Sequence, residues 1–190
     1  MTMRVIAGRF RSRQLKSPRG LALRPTSDRL RETLFNVLGA AVEASTFVDV
    51  YAGTGAVGIE ALSRGAARVV FIENHNAGVV LIRENLAALG VAEGDEAEVL
   101  TVDAVRGLDL LAGRGVKANF VFLDPPYDRA EEYARALESL GSGKLLVPAA
   151  MVIVESRATR GKRTPLPGSA GALRVTRTLV QGDAVLTFYA

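Results

Sequence analysis

Apolar and polar positions divide the chain into two zones. In residues 1–25 the apolar positions form only short β-like pieces, 3–7 and 14–16, interrupted by Gly8, Pro18, Gly20 and Pro25. Such a pattern predicts a hairpin or an extended arm. Ser27 and Asp28 then supply a helix N-cap and a first-turn acid. Leu30, Leu34, Val37, Leu38 and Ala41 follow at i, i+4, i+7, i+8 and i+11, one face of a helix. From Thr46 onward the pattern alternates. Short apolar runs at 47–51, 69–73, 98–102, 120–123 and 151–155 read as strands, and the stretches 55–64, 76–89, 104–111 and 129–140 read as helices. Strand–helix alternation predicts a parallel sheet covered on both faces. The runs 173–181 and 184–189 meet at Gly182-Asp183, a hairpin signal, so the sheet is expected to end in an antiparallel pair. The expected division is an arm at 1–25 and a main domain at 26–190 that includes the leading helix.

Composition narrows the chemistry. The 190 residues are 48% apolar and 23% charged, as expected of a soluble globule with a core. Cysteine is absent, which excludes a disulfide framework, a zinc-thiolate site, an iron–sulfur cluster and a cysteine nucleophile. The single histidine, His75, leaves no multi-histidine metal site or histidine relay, and reads as an incidental surface residue. The formal net charge of +4 is unevenly placed. Residues 1–31 carry nine basic side chains against one acid, Asp28, so a head of +8 sits on a body of −4. Arginines recurring through position 31 leave no apolar stretch for a signal peptide, and the segment's own fold signals argue against a transit peptide. No apolar run approaches the roughly 18 residues of a membrane span. The expectation is a soluble, cytoplasmic protein with no membrane partner.

Candidate chemistry begins at the first strand of the alternating zone, which runs into Asp49-Val-Tyr51-Ala52-Gly53-Thr54-Gly55-Ala-Val-Gly58. Gly53, Gly55 and Gly58 form G-x-G-x-x-G at a strand-to-helix junction, where backbone must turn sharply and a ligand can approach it. A nicotinamide enzyme uses the same spacing, and glycines that only make a tight turn would look alike. Three acids sharpen the choice. Asp49 lies four residues before the first glycine, Glu73 ends the second strand 20 residues after Gly53, and Asp103 ends the third. Each alone could be a solvated strand-end charge. Together they line the carboxyl ends of parallel strands, the usual ligand crevice of an open α/β sheet. Glu73 can accept ribose hydroxyls there, and Asp103 can meet an adenine edge. A cationic sulfonium tolerates this acidity better than a pyrophosphate does, which favours S-adenosylmethionine over NAD.

The fourth strand ends in Asp124-Pro125-Pro126-Tyr127. Two prolines stop a strand and lack N–H donors. What remains is a carboxylate and a main-chain carbonyl, stiffly held. An exocyclic amine on a nucleobase has two N–H groups, one for Asp124 and one for the Pro125 carbonyl. That orients the nitrogen lone pair toward an incoming methyl group. Tyr127 offers a face on which a base can stack, worth about 1–3 kcal/mol. At an ordinary carboxylate pKa near ~3.9, Asp124 is expected to orient and to accept a proton late. An isolated D-P-P-Y could equally be a rigid turn with a surface tyrosine, but its place beside the glycine loop favours chemistry.

These features resemble the class I S-adenosylmethionine-dependent methyltransferases that carry the amino-methylating D/N-P-P-Y motif. Within them the chain is most similar to the RsmD family, bacterial 16S rRNA guanine-N2 methyltransferases. The likeness covers nearly the whole chain: 3–8, the Arg-Pro-Thr-Ser-Asp-Arg-Leu-Arg-Glu stretch from Arg24, 52–66, 123–127 and the closing hairpin. It implies a Rossmann-like methyltransferase sheet. It implies cofactor contacts at Asp49, Tyr51, Ala52, Gly53, Thr54, Gly55, Glu73, Asn74, Asp103 and Ala104. It implies catalysis at Asp124, Pro125, Pro126 and Tyr127. The reaction implied is methylation of a guanine N2 amine in small-subunit rRNA, with S-adenosylmethionine and no metal.

The basic head fits that substrate. It holds eight arginines to one lysine, and arginine forks bind phosphate bidentately and stack on bases. A charge run can be only a solvated face or a disordered tail, but this one carries strand, turn and helix signals. Nucleic-acid contacts are assigned to Arg4, Arg9, Arg11, Arg13, Arg24, Thr26 and Arg29. A second set, Arg157, Arg160, Lys162 and Arg163, is expected in the loop after the fifth strand. The partner expected is ribosomal RNA or the small subunit, bound by a monomer. Open alternatives are an amino methyltransferase acting on DNA adenine or cytosine, and a nucleic-acid-binding protein without catalysis. A nicotinamide dehydrogenase is the remotest.

Overall fold

The apolar runs become strands because each alternates its side chains between two covered faces. In chain order the elements are α1 (Asp28–Leu38), a 3-10 turn (Gly39–Val42), β1 (Thr46–Val50), α2 (Ala56–Ser63), β2 (Arg68–Ile72), α3 (Asn76–Ala88) and β3 (Ala97–Leu100). There follow α4 (Ala104–Gly113), β4 (Ala118–Leu123), α5 (Ala130–Gly141), β5 (Leu146–Thr159), β6 (Lys162–Arg163), β7 (Ser169–Ala170), β8 (Leu173–Gln181) and β9 (Ala184–Tyr189). This computed structural model describes residues 3–17, 27–126, 129–159 and 162–190. The breaks assigned to Pro18, Gly20 and Pro25 lie outside them. The sheet order is β3-β2-β1-β4-β5-β9-β8-β7, with β6 paired to β5. Strands β1 to β5 are parallel, and β8 and β9 close the sheet antiparallel. The fold is thus the α/β sheet with an antiparallel C-terminal hairpin that the pattern predicts. No helix among the described residues is long and apolar enough to cross a membrane.

Two elements depart from the sequence reading in ways that bear on the site. Helix α1 stops at Leu38, where Gly39 caps it with φ 57°, so Ala41 falls in the 3-10 turn. Strand β5 is much longer than 151–155 at both ends. It starts at Leu146 through a bulge around Ala149, whose φ is 62°. It runs on because β9 stays paired with it as far as Arg157↔Ala184. Arg157 is therefore in a strand, and Lys162 and Arg163 form β6 rather than a loop.

Phe47, Phe71, Phe122 and Ile153 face one way, into a core with α1, α2 and α3. Val48, Val50, Ile72, Leu123 and Val154 face the other way, against α4 and α5. The N-terminal arm belongs to the first core: Met3, Val5 and Leu15 are buried there beside Leu30 and Leu34. Antiparallel backbone contacts fold the arm back on itself around an Arg4–Gln14 bridge. Buried polar groups then fasten it. The Glu60 carboxylate, inside α2, accepts the N–H groups of Ile6 and Ala7 at 2.8 and 3.0 Å and the Arg64 Nε–H at 2.8 Å. Arg31 is fully buried and donates to the Arg4 carbonyl and Asp28, both at 2.7 Å, and to the Ala56 carbonyl at 3.3 Å. The sequence counts Arg31 in the basic head, but its charge is spent inside the protein.

Replacing Glu60 by Ala strands two part-buried backbone donors and one guanidinium. Each such group costs about 1–3 kcal/mol. The expected result in Glu60→Ala is a loss of about 3 kcal/mol or more by denaturant unfolding, with faster amide exchange at Ile6 and Ala7.

Candidate active site

The chain runs outward from β1 to β3 and then returns to place β4 on the other side of β1. The loops after β1 and β4 therefore leave the carboxyl edge side by side, at the switch point where α/β sheets bind ligands. Val50 lies opposite Leu123, and the Asp124 N–H reaches the Val50 carbonyl at 3.4 Å. Residues 51–55 and 124–126 are thus neighbours because of strand order.

Asp49 points at α2. Its carboxylate, 2% exposed, accepts the Gly58 N–H at 2.8 Å and so anchors the helix that the loop feeds. Gly55 caps α2 with a left-handed φ of 76°, and a Cβ on Gly58 would lie 2.3 Å from the Phe71 ring. One glycine makes the turn and the other lets helix and strand touch. Tyr51 also has positive φ, 62°, and its hydroxyl donates to Glu132 on α5 at 3.0 Å. Ala52 donates its N–H to the Ile72 carbonyl at 3.1 Å. Buried Thr54 donates its hydroxyl to the Met3 sulfur at 3.6 Å, and its carbonyl accepts from Asn85 at 3.0 Å.

At the end of β2, Glu73 is 6% exposed and accepts the N–H groups of Gly53 and His75, each at 2.8 Å. Each oxygen keeps a further lone pair, enough for a diol. Asn74 beside it is exposed, as is His75. Asp103 caps α4 by accepting the Val105 N–H at 3.1 Å, and Ala104 is buried behind it.

At the end of β4, Asp124 sits laterally beside Glu155 of β5, one residue beyond the Leu123↔Val154 pair. Glu155 is 3% exposed. Burial first, then the Glu155 and Asp49 charges, push the Asp124 carboxyl well above the usual carboxylate range, with Arg157 opposing. Asp124 is a stronger base than its type suggests, a departure from the sequence expectation caused by burial and then by its acidic neighbours. Pro125 is buried and Pro126 exposed. The hydroxyl of Tyr133, a buried residue of α5, lies 3.5 Å from the Pro125 carbonyl oxygen, long for a hydrogen bond. Burial and then the Asp124 and Glu155 charges raise the Tyr133 phenol above its ordinary range. Tyr127 lies outside the described residues.

The arginines of the arm are spread more widely than the strand-end residues. Arg4 pairs with Asp28 at 3.5 Å. Arg9 pairs with Glu96 at 2.7 Å, and Arg13 donates to the Ala88 carbonyl at 3.0 Å. Both partners lie at the amino edge of the sheet, about 12 Å, the length of α2, from the glycine loop. Arg11 and Arg29 are exposed, and Arg24, Thr26 and Arg160 lie outside the described residues. Sequence reasoning missed Glu155, Asn85, Glu132 and Tyr133. Glu155 carried a usable signal, since it ends a strand run as Glu73 does. The other three read as ordinary helix positions.

The donor set suits a cationic ligand. Carboxylates crowd the crevice, and among the described residues no group of His, Asp or Glu is placed to hold a metal ion. The model of the family described as Conserved hypothetical protein 95 matches residues 3–190. The ribosomal RNA small subunit methyltransferase D of Escherichia coli is 40% identical over 164 residues, covering 85% of this chain and 78% of that protein. The Bacillus subtilis protein YlbH is 31% identical over 187 residues, 98% of both chains. The solved structure of the Escherichia coli protein yhhF superposes with a TM-score of 0.80 at 36% identity, covering 100% of this chain and 97% of that one.

Burial of Asp49 has a consequence for stability. Its carboxyl is pushed up to about 8 by burial, against the Gly58 N–H and with the Glu73 charge adding to the rise. The folded state holds a proton that the unfolded chain, titrating at 3.8, has released. The resulting stabilisation is complete below about pH 4 and is lost as pH rises through about 8. Asp49→Asn keeps an acceptor for the Gly58 N–H and removes the titration. Its unfolding free energy should therefore fall less steeply between pH 4 and 8 than that of the wild type. Parallel curves would show that Asp49 does not titrate in this range.

Proposed function

The chain belongs to the Conserved hypothetical protein 95 family, that of the ribosomal RNA small subunit methyltransferases D, and from that premise we infer that it methylates small-subunit ribosomal RNA with S-adenosylmethionine. The acceptor we propose is the exocyclic N2 amine of a guanine. The observation that carries this reading is the Asp124-Pro125-Pro126 turn, which adjoins the glycine loop at the switch point and presents a carboxylate and a carbonyl with no competing N–H from the prolines.

S-adenosylmethionine supplies an electrophilic methyl group on a sulfonium sulfur when bound. Glu73 is suited to accept the ribose hydroxyls, with Asn74, Asp103 and Ala104 beside the adenine. Tyr51, Ala52, Gly53, Thr54 and Gly55 would hold the donor along the glycine loop, and Asp49 anchors the helix after that loop through Gly58. Asp124 and the Pro125 carbonyl accept the two N–H groups of the amine, leaving its lone pair aimed at the methyl carbon. Asp124 would take the proton that the amine loses on methylation. Its raised basicity serves that step, and a cation bound alongside favours the carboxylate beforehand. Tyr127 would stack on a base splayed from the RNA. Arg4, Arg9, Arg11, Arg13, Arg24, Thr26 and Arg29 would hold the phosphates.

Radiolabelled methyl transfer to small subunits, free rRNA and duplex DNA, followed by nucleoside analysis, is expected to yield N2-methylguanosine from RNA alone. Label in DNA adenine or cytosine would overturn the substrate. Asp124→Ala should lower kcat by about 10²-fold or more while calorimetry shows binding of S-adenosylhomocysteine largely kept. Retained turnover would remove Asp124 from the chemistry. If about five basic side chains meet single-stranded phosphates, log affinity for RNA should fall against log salt with a slope near −3.5, whereas a flat response would exclude a phosphate grip.

A further inference from the structure

Helix α5 begins beside both loops of the site and touches each. The Arg129 N–H donates to the Pro126 carbonyl at 3.0 Å, which pins the helix start to the Asp-Pro-Pro turn. Glu132 accepts the Tyr51 hydroxyl at 3.0 Å through one carboxylate oxygen, while Arg135 approaches the other at 3.4 Å. Tyr133 places its hydroxyl 3.5 Å from the Pro125 carbonyl. Successive helix residues project about 100° apart, so adjacent positions on one turn can serve two different neighbours. Tyr51 sits in the loop assigned to the methyl donor, and Pro125 supplies the carbonyl assigned to the acceptor amine.

We propose that Glu132 and Tyr133 are positioning residues that together set the separation between the donor loop and the acceptor turn. The proposal rests on the methyltransferase reading above for what the two loops hold. Methyl transfer requires donor carbon and acceptor nitrogen about 3–3.5 Å apart and in line, and a misplacement near 1 Å costs on the order of 10²-fold. The pairing of β1 with β4, which ends at Val50↔Leu123 and the Asp124 N–H, fixes only the bases of the two loops. A helix bonded to both loops sets that distance. The Tyr133 hydroxyl also biases the direction of the Pro125 carbonyl and leaves its second lone pair for the amine. Its long contact can tighten once the site is filled, as catalytic hydrogen bonds often do.

The variants are Tyr133→Phe, Glu132→Ala and Glu132→Gln, the last keeping an oxygen acceptor for Tyr51. Tyr133→Phe and Glu132→Ala should each lower kcat by about ten-fold or more, with the Kd for S-adenosylhomocysteine within about two-fold of wild type. Glu132→Gln should retain most of the activity. In the unliganded protein, amide exchange should quicken across residues 51–55 in Glu132→Ala but not in Glu132→Gln, and at Asp124 in Tyr133→Phe. Wild-type kcat and exchange in both Tyr133→Phe and Glu132→Ala would overturn the proposal. So would a kcat that falls only in step with the folded fraction, or a Gln variant as impaired as the Ala one. If the wild type methylates no RNA, the substrate reading fails alone, and the exchange measurements still decide whether α5 ties the loops together.

Discussion

Buried acidic charge at one edge of the sheet is the constraint around which the molecule is arranged. Asp49, Glu73, Asp124 and Glu155 share the face covered by α1, α2 and α3, because each continues the strand parity that turns Phe47, Phe71, Phe122 and Ile153 that way. At an effective dielectric near 20, two like charges 4 Å apart repel by about 4 kcal/mol. The protein meets this differently at each position. Asp49 caps the Gly58 N–H and takes up a proton at a pKa of about 8. Glu73 is satisfied by two backbone donors. Asp124 is pushed toward its neutral form by burial and then by Glu155 and Asp49, with Arg157 opposing. A ligand carrying positive charge relieves the repulsion that remains, which favours a sulfonium over a pyrophosphate in this crevice.

The glycine loop is gripped from both faces of the sheet. On one face the arm, α1 and α3 hold it: Asn85 bonds both the Lys16 backbone and the Thr54 carbonyl, Met3 receives the Thr54 hydroxyl, and Arg31 reaches the Ala56 carbonyl where α2 begins. On the other face α5 holds Tyr51 through Glu132. The arm is therefore part of the scaffold of the site as well as a carrier of positive charge. Its tip packs under the far end of α2, where Arg9 N–H and Phe10 N–H bond Ser63. A ligand that touches the tip and the crevice at once must be larger than a single splayed nucleotide.

Much of this was legible in the chain. The short apolar runs located β1 to β4, because a parallel strand covered on both faces needs apolar side chains on each. Gly53, Gly55 and Gly58 located the strand-to-helix turn, because only glycine allows the left-handed cap and the approach to Phe71. The acids at strand ends were readable for the same reason: a carboxylate just past an apolar run must lie at the carboxyl edge. Local pattern could not reveal the length of β5, which depends on pairing with β9 far along the chain. Nor could it separate Arg31 from the other arginines of the head, since its burial depends on the Arg4 carbonyl, Asp28 and the Ala56 carbonyl converging on one guanidinium.

By itself the sequence determined the α/β class, the loop and turn that adjoin at the candidate site, and the acidic character of the crevice, all of which follow from side-chain pattern and backbone freedom within a few residues. The tertiary structure alone decided which groups bear on one another. Asp124 becomes basic because the fold buries it and because β5 lays Glu155, 31 positions later, beside it. Glu132 and Tyr133 matter because α5 crosses two strand ends that are far apart in the chain. Electrostatic and hydrogen-bonding effects fall off over a few ångströms of space, and distance in space is what a linear pattern does not carry.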